Sequence, residues 1–295
     1  MRIGGRTFPW DERTYVMGIV NVTPDSFSGD GLLATKPSAT GGQAVTDAAV
    51  RQALTFLAEG ADILDVGGES TRPGGPPVDA ETEAARVVPV IEALRRETDA
   101  PISVDTYKAS VAQRALDAGA DMVNDVWGTR MDPDMGPLVA RGEIPVVLMH
   151  NRSRPRDATQ EARLGGRYVG IRYADLVGDV LRELGALVET AEAAGIARER
   201  IIIDPGIGFG KTVEQNLYLL SHLDALRVLG LPVLVGPSRK SFIGYTLDVP
   251  PEERMEGTAA AVALSVVRGA DIVRVHDVRA MARVVRMVDA IMRAR

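Results

Sequence analysis

Short β-branched or apolar runs alternate along this chain with longer segments whose apolar residues recur at helical spacing. That order builds a parallel sheet with crossover helices. Eight runs read as strands, at 15–20, 62–66, 101–104, 121–124, 145–149, 201–204, 232–236 and 271–275. Their apolar character is nearly continuous, as expected of strands buried on both faces. Between them, Val87, Ile91 and Leu94, then Val180, Leu184, Leu187 and Ala191, then Met281, Val284, Val288 and Ile291 each mark one apolar stripe on an otherwise polar helix.

A weak internal repeat supports the count. Glu59-Gly-Ala-Asp-Ile63, Ala118-Gly-Ala-Asp-Met122 and Arg268-Gly-Ala-Asp-Ile272 each join a helix to a strand, and their glycine suits a helix C-cap of positive φ. With eight strand–helix pairs and no Pro/Gly-rich linker, residues 1–295 are expected to form one α/β domain, a closed (β/α)8 TIM barrel. A doubly wound open sheet is the rival. Polar stretches at 26–43 and 150–166 follow the first and fifth strands, which in a barrel places them at the catalytic rim.

The remaining polar residues concentrate at the C-terminal ends of the strands, where the loops of a barrel converge. In chain order these are Asn21 and Asp25; Asp65, Glu69, Thr71 and Arg72; Asp105 and Thr106; Asn124 and Asp125; His150; Asp204 and Lys211; Ser238 through Ser241; and Arg274, His276 and Asp277. Singly, each has a bland reading: Asp105, Thr106 and Asp277 as helix N-caps, Asp204 as the start of a turn. Their convergence on one rim is what a structural role does not predict. Two phosphate motifs fail. Gly210-Lys211-Thr212 resembles the end of a P-loop, but its first glycine falls on Pro205; Gly206, Gly208 and Gly210 miss the dinucleotide fingerprint because its third glycine falls on Lys211.

Composition narrows the chemistry. With 34 basic and 40 acidic residues the net charge is −6, which argues against a nucleic-acid partner. The absence of cysteine removes disulfides, thiolate metal sites and a cysteine nucleophile, and the three histidines, His150, His222 and His276, lack metal-ligand spacing. No apolar stretch has the length of a membrane span, and none near the N-terminus reads as a signal peptide, so a cytoplasmic protein is expected.

Asp105, Asn124 and Asp204 supply acceptors and one amide, suited to a flat heterocycle with several N–H donors. Arg72, Arg274 and His276 supply donors and positive charge, suited to a phosphate or diphosphate. Asn21 is a neutral oxygen ligand able to help hold Mg²⁺ on that diphosphate. Ser241 precedes a helix expected at 241–245 and suits a carboxylate, while Phe27, Pro73 and Phe209 suit the flanks of an aromatic ring. Arg152, Arg154 and Arg156 are expected to be solvated rim charges.

With these residues in place, the chain resembles the dihydropteroate synthases. The matching segments are Met17-Gly-Ile-Val-Asn-Val-Thr-Pro-Asp-Ser-Phe27, Asp65-Val-Gly-Gly-Glu-Ser-Thr-Arg-Pro-Gly74, Ile102-Ser-Val-Asp-Thr106, Val123-Asn-Asp125, Asp204-Pro-Gly-Ile-Gly-Phe-Gly-Lys211, Ser238-Arg-Lys-Ser241 and Arg274-Val-His276. The resemblance implies condensation of 6-hydroxymethyl-7,8-dihydropterin diphosphate with 4-aminobenzoate, by a dissociative mechanism, to give 7,8-dihydropteroate and diphosphate. It implies that Asp105, Asn124, Asp204 and Lys240 hold the pterin with Met149 near its ring. It further implies that Asn21, Arg72, Arg274 and His276 hold the diphosphate with Mg²⁺ at Asn21, that Thr71, Arg72, Pro73, Phe27, Phe209 and Ser241 form the aminobenzoate site, and that the protein is a homodimer through outer helices.

One departure is visible: after Phe27 the family commonly reads Ser-Asp-Gly-Gly, whereas this chain reads Ser28-Gly-Asp-Gly31 and continues with a longer insertion through Gly42. A pterin-dependent methyltransferase barrel is one rival, but it has no use for Ser70-Thr-Arg-Pro73 and Ser238-Arg-Lys-Ser241. A noncatalytic homologue is the other, and it has no need to keep Arg72, Lys240 and Arg274 together.

Overall fold

The structure, a computed structural model, describes residues 1–10, 12–23, 41–70, 77–153 and 157–294. Each of the eight predicted runs is a strand, with bounds shifted by two residues at most: β1 Tyr15–Asn21, β2 Ile63–Gly67, β3 Ile102–Asp105, β4 Met122–Asp125, β5 Val146–Met149, β6 Ile201–Asp204, β7 Leu234–Val235 and β8 Ile272–Val275. They pair in parallel in the order β6-β5-β4-β3-β2-β1-β8-β7. A parallel bridge from Ile203 to Val233 joins the two ends and closes the ring. The helices are α1 Gly41–Glu59, α2 Ala80–Glu97, α3 Ala109–Asp117, α4 Met135–Gly142, α5 Leu176–Ala193, α6 Val213–Ser221, α7 Ser241–Leu247, α8 Met255–Val267 and α9 Val278–Arg293. Helix α7 is the one expected at 241–245, two residues longer, and lies before the crossover helix α8.

Because side chains alternate across a strand, each strand serves two cores. Val16, Val20, Val66, Val104, Val123, Leu148, Ile203 and Val273 pack outward with Val87, Ile91 and Leu94 of α2 and Leu184 and Leu187 of α5. Tyr15, Met17, Ile63, Met122, Val147, Ile202, Leu234 and Ile272 form a separate cluster inside the ring. An N-terminal hairpin, Arg2–Ile3 against Arg6–Thr7, adds Ile3 and Phe8 to that inner cluster and seals its lower end. The Phe8 and Trp10 rings meet Tyr15 edge-on at 4.8 and 5.6 Å.

The Gly-Ala-Asp repeat has a second use beyond its glycine. Gly60, Gly119 and Gly269 do take positive φ, at 109, 110 and 92°. The aspartate two residues later then accepts a backbone N–H from the neighbouring strand: Asp62 from Val16 at 3.0 Å, Asp121 from Ile102 at 2.9 Å and Asp271 from Val233 at 2.8 Å. Each repeat thus stops a helix and pins two strand starts together. Arg13 and Arg95 neutralise Asp62 and Asp121 at 2.5 and 2.6 Å.

The α9 stripe needs a correction. Its core face is Val278, Met281, Ala282 and Val285; Val284 and Val288 are half-buried, and Ile291 is exposed with Met287 and Met292. Its apolar surface is wider than one core needs, which hides the true buried face from a periodicity count. No helix among the described residues is long and apolar enough to cross a membrane.

Candidate active site

Strand register sets the site. Asn21 lies opposite Gly67, Gly67 opposite Asp105, Asp105 opposite Asn124, and Asp204 opposite Met149, so these residues occupy the upper rows of the ring. Inward positions two residues above Ile63, Met122, Ile202 and Ile272 of the lower core are Asp65, Asn124, Asp204 and Arg274.

Arg274 crosses the ring. Its Nε donates to Asp65 Oδ2 at 2.5 Å and its Nη2 to Asp105 Oδ2 at 2.6 Å. Asn124 Nδ2 donates to the same Asp65 oxygen at 3.1 Å. Asp65 Oδ1, Asp105 Oδ1 and Ser103 Oγ are buried without a hydrogen-bond partner among the described residues. An unpaired buried acceptor costs about 1–3 kcal/mol, and more if charged, so two such carboxylate oxygens mark a place built for a ligand's donors. Burial pushes the Asp105 carboxyl up to about 7 although Arg274 opposes it. Between Asp65 and Asp105 the Arg274 guanidinium stays charged despite its own burial.

On the opposite wall, Asp204 Oδ1 accepts from Gly206 N at 2.7 Å, and burial raises this carboxyl also. Lys240 donates to Ile207 O and lies 4.5 Å from the centre of the Phe209 ring; burial draws it down to about 8 against the attraction of Asp204. His276 Nδ1 and the His276 backbone N both meet Ser238 Oγ at 3.1 Å. Ser241 opens α7, and Asn21 ends β1 half-buried.

Asp105, Asn124 and Arg274 are therefore joined by direct contact or adjacent register, Lys240 meets Phe209, and Asp204, which feels the charges of Lys240 and Arg274, stands beside Met149 in register, with His276, Ser241 and Asn21 at the same end of the strands. Phe27, Thr71, Arg72 and Pro73 lie outside the described residues, as does the unusual first loop up to residue 40. Among the described residues no group of three or more His, Cys, Asp and Glu forms a metal cluster.

The structural readings divide. Thr106 does serve locally, accepting from Lys108 N at 3.2 Å, whereas Asp105 turns inward. Asp277 does not cap α9 through its side chain; it pairs with Arg239 at 2.5 Å. Asp125 is consumed by the turn after β4, accepting from Trp127 N and Thr129 N at 2.8 Å each. Arg152 is not the solvated rim charge expected: it binds Glu183 and Asp179 and stacks 4.2 Å from the Tyr173 ring centre. Its pairing required α5 to bring carboxylates beside it, which spacing along the chain does not reveal. Arg154 and Arg156 lie outside the described residues.

Asp65 stands among the polar residues at the strand ends, but the sequence assigns it no part in binding. The available signal was its place two residues after the inward Ile63, a charge on a strand buried on both faces.

A ring whose upper end gathers buried carboxylates and an amide around the cations Arg274 and Lys240 offers a site suited to a flat, donor-rich heterocycle. The family model described as pterin binding enzyme matches residues 17–276, and the chain belongs to that family. A dihydropteroate synthase of Synechocystis is 47% identical over 292 residues, covering 99% of this chain and 94% of its own. Among solved structures, the Clostridium difficile dihydropteroate synthase in the presence of pteroic acid is 44% identical, with a TM-score of 0.85 and coverage of 97% and 100%. The Xanthomonas albilineans dihydropteroate synthase in complex with 7,8-dihydropteroate is 41% identical, with a TM-score of 0.83 and coverage of 99% and 98%. Within the pterin-binding enzymes, the chain belongs with the dihydropteroate synthases, which are transferases.

Proposed function

We propose that this chain joins 6-hydroxymethyl-7,8-dihydropterin diphosphate to 4-aminobenzoate, giving 7,8-dihydropteroate and diphosphate. The observation that carries the reading is the buried Asp65–Arg274–Asp105 bridge with two unpartnered carboxylate oxygens beside Asn124. Asp105, Asn124 and Asp204 accept from the pterin's N–H groups, Lys240 donates to it, and Met149 lies along its ring. Arg72, Arg274 and His276 hold the diphosphate. A guanidinium carries five N–H donors, so Arg274 keeps some for phosphate oxygens after binding both aspartates. Thr71, Pro73, Phe27, Phe209 and Ser241 receive the aminobenzoate.

The C–O bond to diphosphate breaks first, its electrons leaving with the diphosphate and a cation remaining on the pterin methylene. Ionised Asp105 stabilises that cation, and Arg274 the departing anion. The arylamine nitrogen then forms the C–N bond and releases a proton; it needs mainly to be positioned. Asn21 fits Mg²⁺ by the chemistry of its donor: it ends β1 half-buried at the rim with a neutral amide oxygen, and Mg²⁺ bound through a diphosphate takes few protein oxygens. When bound there, the ion neutralises charge on the leaving group.

Residues 1–295 act as one domain in this reading, in the cytoplasm, with whose reducing conditions a chain free of cysteine is compatible. The assembly is a homodimer. Leu217 and Tyr218 of α6, Leu264 and Val267 of α8, and Met287, Ile291 and Met292 of α9 are exposed on helices that pack side by side, and such apolar faces mark subunit contacts. Sedimentation at micromolar concentration tests this, with a monomer as the contrary result.

The deciding assay is diphosphate release by the purified protein with the pterin diphosphate and Mg²⁺, with and without 4-aminobenzoate, and mass detection of dihydropteroate. Product that depends on both substrates is expected. Pterin binding without product, where a control synthase turns over, overturns the reading.

A further inference from the structure

Behind the Lys240 wall lies a second polar system that the proposed chemistry does not use. Lys211 is buried, and its ammonium reaches three acceptors: Gly206 O at 2.9 Å, Phe209 O at 3.0 Å and His150 Nδ1 at 3.0 Å. With Lys211 donating at Nδ1 and the Glu183 carboxylate accepting at Nε2, the His150 ring is assigned the tautomer protonated on Nε2, although burial draws Lys211 itself down to about 7. That Nε2 faces Glu183 Oε2 at 2.9 Å. Burial and the neighbouring Lys211 pull His150 down to about 4, which keeps the ring neutral and able to accept. Glu183 is held in turn by Arg152, whose guanidinium lies on Tyr173, and Tyr173 Oη returns to the loop by donating to Gly210 O at 2.9 Å.

The segment from Asp204 to Lys211 is wound around this ammonium. Phe209 N donates back to Gly206 O at 3.0 Å, and Gly208 N to Asn216 Oδ1 at 2.6 Å. Gly206 takes φ of 68°, and a Cβ there would fall 1.9 Å from His150 O, so the loop is pressed against the end of β5. With the neighbouring carbonyls turned inward to Lys211, Ile207 O and the Phe209 ring are the groups presented to Lys240. Lys211 and Lys240 thus grip the same short loop from its two sides.

We propose that Lys211 and His150 are positioning residues for Lys240: the buried Lys211–His150–Glu183 relay sets the loop shape that fixes where the Lys240 ammonium stands. The inference rests on the proposed role of Lys240 in holding the pterin, and it assigns a purpose to a lysine that matches no phosphate motif. His150→Leu removes the third acceptor of Lys211, and Lys211→Met removes the cation around which the loop closes. His150→Asn keeps an oxygen able to accept near the Nδ1 position.

The test measures dissociation of 6-hydroxymethyl-7,8-dihydropterin diphosphate by calorimetry with Mg²⁺, alongside KM, kcat and thermal melting, for the parent and these variants, each also in a Lys240→Ala background. Expected are a rise of about tenfold in Kd and KM for the pterin with His150→Leu and with Lys211→Met, a smaller change in kcat, and recovery to within about threefold with His150→Asn. In the Lys240→Ala background the further loss should shrink to under twofold, since the group being positioned is gone. Lowered melting with unchanged pterin Kd, or equal losses with and without Lys240, overturns the inference and leaves a structural role. Should His150→Leu not fold, Lys211→Met and His150→Asn carry the same comparison. A parent that binds the pterin diphosphate but makes no product refutes the synthase reading alone, because the Kd comparison does not depend on turnover.

Discussion

The two ends of the barrel interior share their strands and differ in almost everything else. At the lower end Met17, Ile63, Met122, Val147, Ile202, Leu234 and Ile272 fill the ring, and Ile3 and Phe8 seal it. One inward step higher stand Asp65, Asn124, Asp204 and Arg274. Two residues of rise, about 7 Å, replace dry packing by paired charges with unpartnered oxygens. The lower layer supplies the hydrophobic burial that keeps the ring closed, at about 1.5–3 kcal/mol for each large side chain removed from water. The upper layer does not contribute comparably, since buried ion pairs seldom outweigh their desolvation. It is arranged for a ligand, and the lower layer makes that arrangement affordable in rigidity.

Arg274→Ala strikes the upper layer hardest, leaving Asp65 and Asp105 as uncompensated buried carboxyls. Dihydropteroate formation should fall at least tenfold, and denaturant unfolding should show a loss of about 3–5 kcal/mol. Turnover within twofold of the parent would contradict the assignment. Phe8→Ala is the counterpart below. It should cost about 3 kcal/mol in unfolding free energy by opening a cavity in the seal, while kcat/KM at 25 °C stays within twofold. A catalytic defect at full stability would show that the two ends are not separable.

Asp204→Asn changes an acceptor-only carboxylate into a group that is half donor, and should weaken pterin binding by about tenfold in calorimetry with little change in melting temperature. Unchanged affinity would remove Asp204 from the pterin site. The mildest perturbation is pH. Asp105 must be ionised to stabilise a cation, so kcat/KM should decline on the acid side with an apparent pKa of about 7. The sign for stability is opposite. Folding raises this carboxyl from its ordinary 3.8, so its contribution to stability is whole below about 4 and is lost as pH rises through about 7. Asp105→Asn should abolish both trends; an acid limb unchanged in that variant would assign it elsewhere.

The strands were legible because strands buried on both faces read as apolar runs, and the rim chemistry was legible because the charges cluster where those runs end. The Gly-Ala-Asp repeat was half legible. Its glycine announces a helix stop, but the hydrogen bond that Ile102 N donates to Asp121 depends on which strand lies alongside. The α9 stripe departs from its periodicity because one helix carries both a core face and an exposed apolar edge. The pairing of Arg152 is not legible in the sequence because its partners Asp179 and Glu183 come from a helix that begins well after it in the chain.

By itself the sequence determined the order of strands and helices, the turn glycines and the kinds of polar group at each strand end, all of which are set by backbone preference and side-chain periodicity over a few residues. Only the tertiary structure decided which of those groups meet. Asp65 and Arg274 stand 209 positions apart, and Lys211 finds His150 61 positions away. Such pairs leave no local trace, because they exist only after the ring closes and the register brings particular inward rows to the same height.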